Sequence, residues 1–122
     1  MRIMLADNRL KVRFALRALL ERQSGLEIIG EAVGAQDLLT RAEESCPDIV
    51  LLDWELPGMA PSELLAKLRQ ACPDVLVVAL SGRVDARRAS LAAGVDAFVS
   101  KGEPPERLLS AIECCAQRCS SC

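Results

Sequence analysis

The hydrophobic positions of the chain switch repeatedly between two rhythms. Arg2 to Ala6 is a short apolar run ending at Asp7, the length of a strand, whereas Arg9 to Arg22 places Val12, Ala15, Leu16 and Leu19 at helical spacing. Ser24-Gly25 breaks that helix. Leu26 to Val33 then reads as a second strand and Gln36 to Glu44 as a short helix between Gly34 and Pro47. The alternation continues to the end of the chain. Asp48 to Asp53 is a strand, apolar throughout as one covered on both faces should be, and a helix opened by Pro61 runs to Ala71. Val75 to Leu80 is a fourth strand followed by a helix from Asp85 to Ala93 that Gly94 closes. Ala97 to Ser100 is a fifth strand, and Lys101-Gly-Glu-Pro-Pro105 opens a last helix reaching about Cys119.

Five strands alternating with five helices through short loops predict an α/β fold: a doubly wound parallel sheet with helices on both faces, since right-handed crossovers allow little else. The 122 residues fit one domain spanning 1–122, the last few, about 119–122, being a frayed tail or the start of a linker. In such sheets ligands bind beyond the carboxyl ends of the strands, at the switch point of strand order.

Composition narrows the chemistry. The chain is 51% hydrophobic, which excludes disorder, and its net charge of −2 with 2% aromatic residues offers neither a phosphate-binding field nor a stacking platform for nucleic acid. There is no histidine, so Ser/His and Cys/His nucleophiles and His-containing metal sites are excluded. No signal-like or membrane-spanning apolar run is seen, and a cytoplasmic location is expected. On that footing the six cysteines are expected to be reduced thiols. Cys46 and Cys72, each before a proline, read as plain helix-end residues. Cys115, Cys119 and Cys122 share a helical face but match no closed zinc pattern, so partly buried apolar packing is the expectation for them.

The predicted strand ends are followed or closed by Asp7-Asn8, Asp53, Ser81 and Lys101. Any one of them could be an ordinary strand-closing polar residue. Two carboxylates, an amide, a hydroxyl and an ammonium at the one edge favoured for ligands are better explained as a site. Asp7 and Asp53 offer the hard oxygens that Mg²⁺ takes one or two at a time beside phosphate oxygens. A carboxylate there can accept a phosphoryl group, with Lys101 neutralising one phosphoryl oxygen and the Ser81 hydroxyl donating to another. Backbone N–H groups around Trp54 and Gly82 would complete the cradle.

Asp7-Asn8, Asp53 in DIVLLDWELPGM, Ser81 in VVALSGR, and Phe98 and Lys101 in DAFVSKGEPPE strongly resemble the receiver domain of two-component response regulators, the CheY-like superfamily. The resemblance covers essentially the whole chain. The Lys-Gly-x-Pro-Pro-Glu-x-Leu stretch looks most like receivers of LuxR/NarL-type transcription factors. The resemblance implies a flavodoxin-like sheet of order 2-1-3-4-5 and a phosphorylation-controlled switch rather than an enzyme, its only catalysis being its own phosphorylation and dephosphorylation. It implies Asp53 as phosphoacceptor, with Mg²⁺ held by Asp7, Asp53 and the Glu55 backbone carbonyl, and Asn8 in the position of a usual acidic ligand. Ser81 and Phe98 would relay the change to the face formed by the fourth helix, fifth strand and fifth helix. Glu55 and Arg83 would tune the lifetime of the phosphoryl group, or else form a surface ion pair of little worth. The implied partner is a sensor histidine kinase or histidine phosphotransfer domain, with transcription as the output, no direct nucleic-acid contact and no membrane; a homodimer is compatible with it.

Two features modify that expectation. Asn8 removes one formal charge from the metal site, so more Mg²⁺ should be needed, and a degenerate receiver acting as a phosphorylation-independent interaction domain is the alternative. Arg9, Arg13 and Arg17 form a basic stripe at i, i+4 and i+8, usually a solvated face, which in this family could help dock the kinase.

Overall fold

The computed structural model describes the backbone of residues 1–121 and side chains through residue 117. Strands and helices alternate as β1 (Arg2–Ala6), α1 (Leu10–Glu21), β2 (Glu27–Ala32), α2 (Ala35–Ser45), β3 (Ile49–Asp53), α3 (Pro61–Ala71), β4 (Leu76–Ser81), α4 (Ala86–Ala93), β5 (Ala97–Ser100) and α5 (Pro105–Ser121). All neighbouring strands run parallel, in the order β2-β1-β3-β4-β5. The elements expected from periodicity are all present, with ends displaced by a residue or two and α5 opening at the second proline of its Pro-Pro pair.

Strand pleating divides the core. Met4, Ala6, Val50, Leu52, Val77, Ala79 and Phe98 point to one face, where α2, α3 and α4 cover them with Leu38, Leu64, Leu68 and Ala86. Ile3, Leu5, Ile49, Leu51, Val78, Leu80 and Val99 point to the other, covered by Leu20 of α1 and by Leu108, Ile112 and Cys115 of α5. Every residue of β3 is buried, as the unbroken apolar run required.

The loops after the strands are fastened individually. Gly58 turns the β3–α3 loop with φ +109°, and a Cβ there would lie 3.4 Å from Ala35. That close approach lets the Ala35 N–H donate to the Pro57 carbonyl at 2.9 Å, tying the loop to the start of α2. Gly94, φ +105°, ends α4 by donating to the Ser90 and Leu91 carbonyls.

Phe14 is 73% exposed on α1, because the helix turns Val12, Leu16 and Leu19 inward and that ring outward. One expectation is corrected. Cys46 and Cys72, expected as free thiols, form a disulfide. They are the C-caps of α2 and α3, adjacent helices on one face, and this brings their Cα atoms to 5.5 Å, a usual spacing for the bond. Cys115 is buried, as expected, while the Cys119 and Cys122 side chains lie outside the described residues. No described helix is long and apolar enough to cross a membrane.

Candidate functional site

Because β1 and β3 are adjacent at the centre of the sheet, the residues closing them meet at its carboxyl edge. Asp7 is 1% exposed and Asp53 3%. The β1 direction is extended by the Asp7 N–H, which donates to the Ala32 carbonyl at 3.0 Å. The Asp7 carboxylate accepts from the Arg9 N–H at 2.8 Å and from Lys101 Nζ at 2.9 Å. Asp53 Oδ1 accepts from the Glu55 N–H at 3.0 Å and lies 3.4 Å from the same Nζ. Lys101 thus bridges the two acids. Its position follows from register, since its own N–H donates to the Ser81 carbonyl at 2.9 Å, extending the β4–β5 pairing by one step.

The charge balance at this point is incomplete. Two buried carboxylates face one ammonium, and the next cation, Arg9, approaches Asp7 only to 3.7 Å from a side chain that is 57% exposed. Burying a carboxylate without a partner is costly, so the pair favours another cation at the edge. The donors are all hard oxygens, which suits Mg²⁺: it takes one or two carboxylates and completes its shell with waters and carbonyls. Asn8 stands exposed beside Asp7. Among the described residues no group of three or more His, Cys, Asp or Glu side chains could hold a metal, so any such ion relies on the two acids with neutral oxygens.

Ser81, fully buried at the end of β4, directs its hydroxyl to the Glu55 carboxylate, with both oxygens at 2.8 Å, and accepts the Arg83 N–H at 3.0 Å. The Glu55–Arg83 ion pair considered from sequence does not form, since Arg83 instead lies 3.4 Å from Asp85. The Trp54 N–H is also otherwise engaged, donating to the Leu80 carbonyl at 2.8 Å because Trp54 continues the β3–β4 ladder. Trp54 is 8% exposed. Gly82 is exposed, and a Cβ built there would meet nothing within 4 Å, so the backbone at that point is open to a ligand. Phe98 is 7% exposed on β5, turned inward, with the Arg87 guanidinium 5.1 Å over its ring.

The basic stripe of α1 divides. Arg13 and Arg17 bond Glu31 of β2 at 2.9 and 2.8 Å, and Arg13 also donates to the Asp7 carbonyl at 2.8 Å. These bonds, Arg17 first, hold the Glu31 carboxyl below the usual carboxylate range. Arg13 therefore braces the site from within instead of standing free on a solvated face. The signal missed in the sequence was Glu31, an acid one residue before the carboxyl end of β2.

A 2-1-3-4-5 parallel sheet with two acids and a lysine gathered at its carboxyl edge is the architecture of the CheY-like receivers. The chain belongs to the response regulator receiver domain family, whose description matches residues 3–113. It is 28% identical over 112 residues to the response regulator UvrY of Escherichia coli K12, covering 90% of this chain and 51% of that protein. It is 33% identical over 111 residues to the transcriptional regulatory protein YhcZ of Bacillus subtilis, covering 89% and 52%. A LuxR-family two-component response regulator from Aurantimonas superimposes with a TM-score of 0.85 at 31% identity, over 93% of this chain and 82% of the other. The chain spans about half the length of the curated relatives it matches. Receiver domains of response regulators are phosphorylation-controlled signalling modules, not typical catalysts; they are served by histidine kinases and generally bind Mg²⁺.

Proposed function

We propose that this chain, as one receiver domain over 1–122, accepts a phosphoryl group on Asp53 and thereby switches a transcriptional output. The observation that carries the reading is the Lys101 ammonium, 2.9 Å from buried Asp7 and 3.4 Å from buried Asp53. An Asp53 carboxylate oxygen attacks the phosphorus of a phosphohistidine on the kinase or phosphotransfer domain. The P–N bond breaks, its electron pair returns to the imidazole, and an acyl phosphate remains on Asp53. Lys101 neutralises one phosphoryl oxygen, while the Ser81 hydroxyl and the Gly82 N–H donate to others. Asp7, Asp53, the Glu55 carbonyl and the neutral oxygen of Asn8 would hold Mg²⁺, which supplies charge neutralisation when bound.

Glu55 gives the site a gate. Its carboxylate takes the hydroxyl that the phosphoryl group needs, and two anions do not share that one donor, so Glu55 withdraws as Asp53 is modified. With Ser81 redirected, Phe98 and the Arg87 over it report the change on the α4–β5–α5 face. Kinase docking falls to the outward edge of α1, where Arg9 is free of strong pairing and Leu10 and Phe14 are 69% and 73% exposed.

Incubation with acetyl phosphate and Mg²⁺ should add one phosphoryl group to the wild-type chain and none to Asp53→Asn, read by intact mass. Trp54 fluorescence should respond to Mg²⁺ with beryllofluoride. An unmodified mass at millimolar Mg²⁺ would select the phosphorylation-independent interaction domain, the reading that Asn8 and the Glu55–Ser81 bond favour. Glu55→Ala should accelerate phosphoryl acceptance several-fold if the gate operates.

A further inference from the structure

At the amino edge of the sheet, opposite the phosphoryl site, lies a second group of chemically reactive atoms. The Cys46–Cys72 disulfide sits in a cleft of about 460 Å³ lined also by Met1, Pro47, Pro73 and Ala116. Its two residues are unequally exposed. Cys46 is exposed, whereas Cys72 is 3% exposed and packed into the α2–α3 core.

Cys46 has a second peculiarity. With φ +38° it is the one non-glycine residue of positive φ among the described residues, a conformation that side-chain-bearing residues adopt only when their surroundings enforce it. The Cys46 backbone is held on both sides. The Cys46 N–H donates to the Ala42 carbonyl at 2.7 Å, and the Arg2 guanidinium donates to the Cys46 and Ser45 carbonyls at 3.1 and 2.8 Å. Arg2 is held in turn by its own N–H, which donates to the Asp48 carboxylate at 2.7 Å. None of these bonds involves sulfur. Cys46 is therefore positioned by bonds other than the disulfide, and Cys72 by its packing against the α2–α3 core.

From this geometry we infer that Cys46–Cys72 is a reversible thiol–disulfide exchange site for a dithiol reductant, with Cys46 as the sulfur attacked. A reductant thiolate forms a new S–S bond to Cys46 Sγ. The Cys46–Cys72 bond breaks, its electron pair leaving on Cys72 Sγ, which takes a proton. The reductant's second thiolate then attacks its own mixed-disulfide sulfur, Cys46 is released as a thiol, and the reductant departs as a disulfide, two electrons having passed to the protein. Closure is the reverse, with a low-molecular-weight disulfide as oxidant. Because Arg2 and Ala42 hold Cys46 in place, closure is an intramolecular step between neighbours. The inference is independent of phosphorylation at Asp53.

The test equilibrates the wild-type chain in glutathione buffers of graded ratio, quenches with acid, alkylates free thiols and maps peptides by mass spectrometry. Cys46 and Cys72 should open together in one two-electron transition without denaturant, with transient glutathione on Cys46, while exposed Cys114 reacts on its own. The reduced chain should keep its circular dichroism spectrum and reclose on addition of oxidised glutathione. The inference is overturned if the pair stays unjoined at every ratio, if it opens only in denaturant, if the adduct sits on Cys72, or if reduction unfolds the chain. Cys46→Ser and Cys72→Ser, provided each keeps the native spectrum, should differ in glutathionylation: Cys72→Ser carries the adduct and Cys46→Ser does not.

Discussion

The two faces of the sheet are covered very differently. On one, α2, α3 and α4 bury Met4, Ala6, Val50, Leu52, Val77, Ala79 and Phe98 beneath them, and a disulfide joins the ends of α2 and α3. On the other, α1 contributes only Leu20 as a fully buried residue, and an apolar groove of about 370 Å³ runs between α1 and α5 toward Lys101. The helix α1 is held as much by charge as by packing, through Arg13 and Arg17 on Glu31. Stability is concentrated on the first face and accessible surface on the second. A switch module needs both, because its phosphoacceptor edge must be rigid while some surface stays open to partners.

The largest contrast should come from equivalent truncations. Leu68→Ala on α3, where the side chain is fully buried, should cost about 4 kcal/mol in urea denaturation, from lost transfer energy and a cavity. Leu16→Ala on α1, half-buried beside the groove, should cost about 1 kcal/mol. Equal losses would show that the faces contribute alike.

Reduction of Cys46–Cys72 tests the covalent part of the same asymmetry. The bond closes a 26-residue separation, and the loss of loop constraint on the unfolded chain should lower stability by about 3 kcal/mol, or Tm by roughly 10 °C. The comparison is between oxidised and reduced wild type by thermal circular dichroism. A shift below a few degrees would mean that packing alone holds the α2–α3 face.

A smaller and pH-dependent effect belongs to the other face. Arg17 and Arg13 lower the Glu31 carboxyl from its ordinary value of 4.5, so the protein gains stability from that group above the unfolded value and loses it as pH falls through the folded one. Wild type should exceed Glu31→Gln by about 1 kcal/mol at pH 7, a modest figure because the partners are partly exposed and screened. The gap should close as pH falls from the ordinary value of 4.5 through the lowered folded one, in denaturant titrations at matched ionic strength. A gap independent of pH would assign the loss to packing.

How much of this was legible beforehand follows a physical line. Strand and helix periods, the Pro61 start and the Gly94 stop are local signals, and they located all ten elements. The strand-end residues were legible because strand ends in a parallel sheet share one edge, which brought Asp7, Asp53, Ser81 and Lys101 together. What was missed depends on pairing across the fold. Cys46 and Cys72 each begin a Cys-Pro-Asp sequence ahead of adjacent parallel strands, and that repeat was the available signal for neighbouring helix ends. Glu31, Glu55 and Arg13 could not be assigned, since a charged side chain's partner is chosen by tertiary proximity. The Trp54 N–H looked available because nothing in the sequence tells where a ladder stops.

Phe14 carries the smallest expected effect on stability and the sharpest on function. At 73% exposure its ring gains little from folding, so Phe14→Ser should leave stability within about 0.5 kcal/mol of wild type. Leu10 lies one turn before it and is 69% exposed, which puts two large apolar side chains together on the outer edge of α1, beside the groove. Such a pair is worth most when a partner covers it, and on the proposed function a kinase's helical phosphohistidine domain would approach the edge where Asp7 follows β1 and α1 begins. Phe14→Ser should therefore slow transfer from the cognate kinase about tenfold, while transfer from acetyl phosphate, which needs only the Asp53 pocket, keeps its rate. Equal slowing with both donors would mean that the ring shapes the pocket, and the division between a rigid face and an accessible one would fail at its most exposed residue.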